Sequence, residues 1–217
     1  MGEPPVTSRK PRDPAKVRAN LLAVATEVFA ELGYYGARVD DIAARSTTTK
    51  RMIYYYFGDK DGLFTAVLEH AYAQVRAAEA SLQLADLPPA EALQSLVRHT
   101  FRWHAAHPEL ARLVSVENTL QADHLRGSPD HHRANRPIIA TIGDILEHGR
   151  AEGVFLRAAS ALDLHLQMTA MALFQVTNAA TVEATFGVDL LDPATVDAAA
   201  DNLAAMMTAW LRSPAPI

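Results

Sequence analysis

A short cluster of cationic and phenolic side chains in the first third of the chain could bind a polyanion. Lys50 and Arg51 are followed by three consecutive tyrosines at positions 54–56. Ile53 and Phe57 are four residues apart, so one helical face could carry both toward a core while the cations and phenols face outward. Ammonium, guanidinium and hydroxyl groups suit phosphates and base edges. The pattern favours a nucleic-acid-binding helix over its alternative, a solvated face with aromatic rings packed between helices.

The charge of the chain is unevenly distributed. Residues 1–60 contain ten Lys or Arg and seven Asp or Glu, whereas residues 61–217 contain ten Arg and eighteen Asp or Glu. A basic N-terminal segment joined to an acidic body is typical of a module that meets nucleic acid. The net charge of +3 on the first segment is small, however, and such an asymmetry also arises by chance.

Composition excludes several classes of protein. With 49% hydrophobic and 21% charged residues, the chain predicts a folded globular protein rather than a disordered one. It contains no cysteine, which excludes disulfides, thiolate metal sites and cysteine nucleophiles. No apolar run approaches the ~18 residues of a membrane span, and the first residues lack the apolar segment of a secretory signal. We therefore expect a cytoplasmic protein without membrane contact, and no motif predicts a cofactor or a metal.

Helical periodicity recurs along the chain and predicts an all-α fold of about nine helices. Asp13-Pro14 and Asp192-Pro193 each combine an N-cap residue with a proline at the first helical position. No alternating run typical of strands is evident. The predicted helices occupy residues 14–32, 39–46, 50–56, 60–81, 89–106, 108–124, 132–152, 159–183 and 193–212.

The second and third predicted helices are short, and four hydroxyl residues at 46–49 join them. Two short helices joined by a tight turn are the arrangement of a helix-turn-helix, in which the second helix enters the major groove, about 12 Å wide. Residues 50–56, with their cations and tyrosines, would be that second helix.

Residues 15–64 resemble the DNA-binding domain of TetR/AcrR-type transcriptional regulators. The resemblance depends on the segments LAVA at 22–25, FAELGY at 29–34, VDDIA at 39–43 and IYYYFGDKDGLF at 53–64. The spacing Tyr54-x-x-Phe57-x-x-Lys60, directly after a helix-turn-helix, is its most specific element. Residues 174–189 are weakly similar to the C-terminal domains of relatives of the pyrimidine-utilisation regulator, from which we infer no pyrimidine binding.

The resemblance implies an Ω-like homodimer that binds double-stranded operator DNA and a small-molecule effector. Residues 14–60 would form the three-helix helix-turn-helix domain, and residues 61–217 the helical effector-binding and dimerisation domain. The charged, Pro-rich residues 1–13 predict a flexible arm. The predicted DNA-binding residues are Arg38, Thr48, Thr49, Lys50, Arg51, Tyr54, Tyr55, Tyr56 and Lys60.

Two positions depart from the family pattern. Thr47 lies in the turn where the family usually has Gly, which adopts a positive φ without steric cost. The turn therefore either has another geometry or is strained. Arg38 lies where the family usually has Thr or Ser as a helix cap. Arginine cannot accept the capping hydrogen bond, but it could bind a phosphate directly.

Polar side chains on otherwise apolar helical faces are the candidates for an effector pocket. A buried His or Glu is more often paired within the protein than in contact with a ligand, and Met is common in ordinary cores, so each candidate has a structural alternative. Because the region is poor in Lys, the set favours an apolar or aromatic effector over a sugar phosphate. The candidates are Phe101, His104, Leu113, Glu117, Leu120, His124, Met168, Met171, Gln175 and Asn178.

The last two predicted helices carry a wide apolar surface. The resemblance implies that two copies of each helix form a four-helix dimer bundle, whereas packing within one chain is the alternative. The predicted interface residues are Leu162, Leu166, Leu173, Leu203, Met207 and Trp210.

The sequence therefore predicts a ligand-responsive transcriptional repressor rather than an enzyme. It would bind a (pseudo)palindromic operator as a homodimer and be released by its effector. One alternative is a small all-α enzyme that uses His104 and Glu117 as an acid–base pair. Another is a metal-sensing regulator, since His104 and His107 are three residues apart and two further histidines are adjacent at 131–132. A third is an activator, or a DNA-binding protein that has lost its effector.

Overall fold

The structure is a computed structural model that describes residues 13–214. These residues form α-helices and one short 3-10 helix, without a strand, so the predicted all-α fold is confirmed. The predicted arm at 1–13 lies outside the described residues except for Asp13. Within 13–214, no helix is long and apolar enough to cross a membrane.

The chain divides into two compact units, one ending at Val67 and the other beginning at Leu68. The first unit contains helices α1 (Pro14–Gly36), α2 (Val39–Arg45) and α3 (Lys50–Phe57) and the first turns of α4 (Lys60–Ala80). The predicted domain boundary follows residue 60, at the start of α4, whereas the two compact units meet within this helix.

Helix α1 begins as the Asp-Pro signal predicts. The Asp13 carboxylate accepts a hydrogen bond of 3.0 Å from the N–H of Ala15, and Pro14 occupies the first helical position. Near its other end, Gly33 has a φ of 69°, which kinks the chain. The core of the first unit consists of apolar side chains from all four helices, among them Leu21, Leu22, Ala25, Val28, Phe29, Ile42, Ile53, Leu63, Phe64 and Val67.

The second unit is built around α5 (Pro89–Ala106), which packs against α9 (Arg136–Ala151), α10 (Ala161–Thr177) and α12 (Pro193–Arg212). The remaining elements are the 3-10 helix Leu84–Asp86, α6 (Pro108–Thr119), α7 (Asp123–Arg126), α8 (Pro129–Ala134) and α11 (Ala179–Phe186). Its core includes Leu93, Leu96, Val97, Phe101, Ile138, Ile142, Leu146, Phe155, Leu164, Met168, Val196, Ala200, Ala204, Met207 and Leu211.

Three predicted helices are interrupted. The helix predicted over 132–152 is divided at Asn135 between α8 and α9. The helix predicted over 108–124 ends at Thr119, because Gln121 and Ala122 have φ values of 59° and 60° and leave the helical path. The helix predicted over 159–183 is split at Asn178 into α10 and α11. The Asn178 side chain donates to the carbonyl of Phe174 at 3.2 Å, so it competes with the backbone for a helical acceptor.

The turn between α2 and α3 keeps a left-handed residue despite the absence of glycine. The N–H of Thr48 donates to the carbonyl of Ala43 at 3.1 Å, and the N–H of Thr47 donates to that of Ala44 at 3.3 Å. This pair of bonds is the Schellman arrangement, whose left-handed position is usually glycine. Thr47 occupies that position with a φ of 51°. Of the two possibilities, another turn geometry or a strained one, the structure therefore shows the strained turn.

Thr47→Gly should raise the free energy of unfolding by about 1 kcal/mol. The left-handed conformation costs a residue with a Cβ roughly 1–2 kcal/mol, and glycine avoids this cost. The greater conformational freedom of glycine in the unfolded chain offsets part of the gain. Urea unfolding followed by circular dichroism measures the difference. The matched control is Thr48→Gly, at a residue whose φ is not positive, which should be neutral or destabilising. Equal stabilisation by both changes would show that residue 47 is not strained.

Candidate DNA-binding surface and effector site

Helix α3 is held in place by one buried side chain and by its two ends. Thr49 caps its N-terminus by accepting a hydrogen bond of 3.4 Å from the N–H of Met52. Ile53 is completely buried, and Gly58, with a φ of 81°, ends the helix after Phe57. Phe57 is half-buried, and the guanidinium of Arg18 lies 5.3 Å from the centroid of its ring. The rest of the helix surface faces outward.

The outward surface of α3 carries the predicted DNA-binding cluster. Thr49, Lys50, Arg51, Tyr54 and Tyr55 are exposed, and Tyr55, at 77%, is the most exposed of the three tyrosines of α3. Beside them, a surface cleft of about 540 Å³ is lined by Pro14, Arg51, Met52, Tyr55 and Tyr56. The cleft adds the start of α1 to the surface, a position that the sequence did not suggest.

Lys50 forms an ion pair with Asp40, in the first turn of α2. Its ammonium lies 2.9 Å from Oδ1 and 3.0 Å from Oδ2 of that carboxylate. The hydrogen bond raises the pKa of Lys50 above its ordinary value. Both groups are exposed, so the pair orients Lys50 without holding it strongly, and a phosphate or base can compete for it.

The predicted DNA-binding residues at the edges of the motif differ in exposure. Arg38 precedes α2, is exposed and makes no capping hydrogen bond, in keeping with its side chain type. Thr48 and Tyr56 are half-buried. Lys60 is the first residue of α4, and its ammonium lies 4.5 Å from the centroid of the Tyr34 ring. Burial lowers the pKa of Lys60. The hydroxyl of the same Tyr34 donates a hydrogen bond to the carboxylate of Asp61, the next residue of α4.

The predicted effector-pocket residues all belong to the second unit but differ in how deeply they are buried. Phe101, His104, Leu113, Glu117 and Met168 are buried. Leu120, His124, Gln175 and Asn178 are half-buried. Met171 is 49% exposed and lies outside the buried stripe of α10, which is Leu164, Met168 and Ala172, so its place in an effector pocket stays a prediction.

The predicted dimer residues also separate into two groups. Leu162, Leu166 and Trp210 are exposed, and Leu173 and Leu203 are half-buried. Met207 is 4% exposed, lies in the core of its own chain and also lines the groove between α10 and α12, so its place in a dimer interface stays a prediction. The stripe that α12 buries runs through Ala200, Ala204, Met207 and Leu211, at spacings of three and four residues.

Glu117 is paired within the protein. Its Oε1 accepts hydrogen bonds from the N–H groups of His124 at 2.8 Å and Leu125 at 3.0 Å, and its Oε2 lies 2.8 Å from Nδ1 of His124. These bonds join the buried carboxylate of α6 to the first turn of α7, where backbone N–H groups are otherwise without partners. His104 is not among the hydrogen-bond partners of Glu117 in the described structure, so the predicted acid–base pair is not formed.

A buried polar cluster that the sequence interpretation missed surrounds His104. Nη1 of Arg76 lies 3.0 Å from Oε2 of Glu79, and both side chains, from α4, are largely buried. Burial raises the pKa of Glu79 to about 7, although the charge of Arg76 opposes the rise. Burial, followed by the charge of Arg76, lowers the pKa values of both His104 and His165 to about 4.

The helical spacing contained a signal for this cluster. Leu68, Tyr72, Val75 and Glu79 follow one another at intervals of three and four residues, so Glu79 continues a stripe that is otherwise apolar or aromatic. A carboxylate at the end of such a stripe predicts a buried partner, and Arg76 is one turn away on the same helix. Among residues 13–214, no three His, Cys, Asp or Glu side chains are grouped as metal ligands.

Two short helices, α2 and α3, are joined by a tight turn, and the second carries exposed cations and phenols. This is the arrangement of a helix-turn-helix DNA-binding protein. Residues 21–67 match the family described as bacterial regulatory proteins of the tetR family, and residues 89–207 match the tetracyclin repressor-like C-terminal domain. The chain therefore belongs to the TetR family of transcriptional regulators, as the resemblance implied.

Relatives and solved structures agree with this assignment. The chain is 34% identical over 177 residues to the HTH-type transcriptional repressor NicS of Pseudomonas putida, which covers 82% of this chain and 84% of NicS. It is 25% identical over 117 residues to the regulator RutR of Escherichia coli, covering 54% of this chain and 55% of RutR. A tetR-family regulatory protein from Rhodococcus RHA1 shares the fold, with a TM-score of 0.70 at 22% identity over 93% of this chain and 99% of that one.

Acidification should destabilise the protein through His104. Because its pKa is about 4 in the folded chain and 6.5 ordinarily, the unfolded chain binds a proton below pH 6.5 that the folded chain does not accept until about pH 4. The contribution of this group to stability is therefore lost as the pH falls below 6.5, and the loss reaches about 2 kcal/mol at pH 5.

Urea unfolding of the wild-type chain and of His104→Gln at pH 7 and pH 5 tests this expectation. The decrease in stability between the two conditions should be smaller in the variant by about 2 kcal/mol. His132→Gln is the control, since His132 is an exposed residue of α8, and it should keep the wild-type decrease. The same decrease in His104→Gln as in the wild type would contradict the role of His104.

Proposed function

We propose that this protein is a ligand-responsive transcriptional repressor that acts in the cytoplasm as a homodimer on a (pseudo)palindromic operator. The observation that carries the proposal is the surface of α3, where Lys50, Arg51, Tyr54 and Tyr55 are exposed around the buried Ile53. One α3 from each subunit would enter successive major grooves, which lie about 34–36 Å apart on one face of DNA.

Release of DNA would follow binding of a small molecule in the second unit. Helix α4 carries Lys60 in its first turn and Arg76 in its second half, so a displacement of this helix on ligand binding would act on a phosphate-binding group. A change of a few ångströms in the separation of two recognition helices is enough to misalign them with the groove spacing. The pairing of Glu117 with His124 counts against the enzyme alternative.

The DNA-binding proposal predicts different effects for two lysines. Lys50→Ala should weaken binding to the operator by about 1–3 kcal/mol and reduce discrimination between sequences, if Lys50 contacts a base edge. Lys60→Ala should weaken binding to all sequences similarly and lower the salt dependence by about one counterion, as expected for a phosphate contact.

Fluorescence anisotropy with an operator selected from a random DNA pool, and with a scrambled duplex, at several salt concentrations measures both effects. Arg112→Ala is the control, because Arg112 is exposed on α6 of the second unit and should leave both affinities unchanged. An unchanged salt dependence for Lys60→Ala, or an equal loss on both duplexes for Lys50→Ala, would contradict the assigned roles.

The dimer proposal is supported by exposed apolar side chains on α10 and α12. Leu162, Leu166 and Phe174 on α10, and Met206 and Trp210 on α12, are each about half exposed or more. Between the two helices lies an open groove of about 530 Å³ whose lining includes Leu164, Gln167, Leu203, Met206 and Trp210. Exposed apolar surface of this kind is typical of an interface between chains.

Leu166→Glu and Trp210→Glu should each convert the dimer to monomers at micromolar concentration, because an unpaired carboxylate would be buried in an apolar contact. Analytical ultracentrifugation measures the mass in solution, and circular dichroism verifies folding. Leu32→Glu is the matched control, since Leu32 is an equally apolar exposed residue of α1. A wild-type chain that sediments as a monomer would contradict the proposal.

A further inference from the structure

The buried cluster around Arg76 has a single permanent positive charge at its centre. Helix α4 contributes Arg76 and Glu79, α5 contributes His104, and α10 contributes His165. After burial, the charge of Arg76 is the next largest cause of the lowered pKa of each imidazole, so the guanidinium is within electrostatic range of both rings. At neutral pH the two imidazoles are therefore uncharged, and each can donate one N–H.

Several polar atoms of this cluster lack a hydrogen-bond partner among the described residues. They are Nε of Arg76, Nδ1 of His104 and Nδ1 of His165, whereas Nη1 of Arg76 and Oε2 of Glu79 have only each other, in the ion pair at 3.0 Å. His104 is only 3% exposed, so bulk water does not satisfy it. Most buried polar groups in proteins have partners, and buried groups without them are unfavourable for stability. The cluster therefore has the properties of a site for a polar ligand group.

The charges of the cluster fit one monoanion. The ion pair with Glu79 uses one edge of the Arg76 guanidinium, and Nε is left without a partner. Burial raises the pKa of Glu79 to about 7, so near neutral pH this carboxyl neutralises Arg76 only in part. A guanidinium binds a carboxylate through two parallel N–H groups, and a doubly charged phosphate would require more positive charge than one arginine supplies.

Apolar side chains adjoin the cluster on two of its helices. Phe101 lies one turn before His104 on α5, and Met168 lies one turn after His165 on α10, and both are buried. The hydroxyl of Thr100 lies 3.9 Å from the sulfur of Met168, so α5 and α10 are in contact at this level. A ligand that reaches Arg76 would place the rest of its body against apolar surface.

We propose that Arg76, His104 and His165 bind the carboxylate group of an effector whose body is apolar or aromatic. The proposal rests on the proposed function in that it assigns the effector site of the repressor, and it adds the chemical class of the effector. The guanidinium would supply the charge, and the two imidazoles would supply neutral N–H donors.

Calorimetric titration of the full chain at pH 7 with acids and their neutral isosteres tests the proposal. The probes are benzoate with benzamide, hexanoate with hexanamide, and inorganic phosphate. At least one of the two acids should bind tenfold or more tightly than its amide, and phosphate should bind more weakly than that acid. Absence of this preference for both acids, at concentrations up to 10 mM, would overturn the proposal.

The double variant Arg76→Gln/Glu79→Gln tests which residues create the preference. It removes both charges together, so no single charge is left buried. The tenfold preference for the acid should disappear, whereas Arg112→Gln, at an exposed arginine of α6, should keep it. Retention of the preference in the double variant would overturn the proposal.

A measurement on the wild-type chain keeps the test independent of how the variant folds. In nitrogen-15 NMR spectra, the bound acid should shift the Nε–H resonance of Arg76, and the amide should leave it unchanged. An acid that binds without shifting this resonance would contradict the site.

Release of operator DNA is measured separately with the same compounds. Acid binding at Arg76 without release of DNA would support the carboxylate site and contradict the release step of the proposed function. Release by the amides alone would support the proposed function and contradict the carboxylate site.

Discussion

The burial of α5 determines how the second unit is arranged. This helix contacts α9, α10 and α12, and its side chains at Leu93, Leu96 and Val97 are almost completely enclosed. Each neighbouring helix buries one stripe of side chains against α5. For α10, this stripe is Leu164, Met168 and Ala172. The opposite faces of α10 and α12 are then left exposed although they are apolar. The same burial removes water from His104, whose imidazole is therefore held neutral.

In the first unit, the residues that hold α3 in place overlap the predicted DNA-binding residues only at Thr49. An isolated helix of eight residues is unstable in water, so α3 depends on its surroundings. Ile53 provides the buried contact, Thr49 caps one end and Gly58 terminates the other. Because these positions suffice to hold the helix, Lys50 and Tyr54 are available to contact DNA. The strained Thr47 shows that the turn geometry is kept even where the residue type opposes it.

Local signals in the sequence predicted much of the fold. The Asp-Pro starts at residues 13–14 and 192–193 act within two or three residues, and the structure confirms both as caps with hydrogen bonds to the following N–H groups. The bounds 89–106 and 193–212 were correct for the same reason, since prolines and a His-Pro break delimit them. The helix-turn-helix was recognisable because its motif is continuous in the chain.

The structure adds most to the sequence interpretation where tertiary packing decides. Periodicity alone could not show that α6 ends early, since Gln121 and Ala122 are residues that helices accept, and their positive φ values accompany the docking of α7 on Glu117. Likewise, Met171 and Met207 have the same side chain, and only the packing of their helices shows that one is exposed and the other buried. The sequence alone does not single out Arg76, because a charged residue is usually solvated.

Two buried carboxylates of the second unit show how a structural group differs from a candidate binding group. Glu117 receives three hydrogen bonds from α7, which satisfy both of its oxygens and explain its burial without a ligand. Glu79 has only the ion pair with Arg76, and that pair leaves Nε of the guanidinium without a hydrogen bond. Replacing a buried ion pair by apolar residues of similar volume is often neutral or stabilising. Stability therefore accounts for Glu117, whereas recognition of a ligand group accounts better for Arg76 and Glu79.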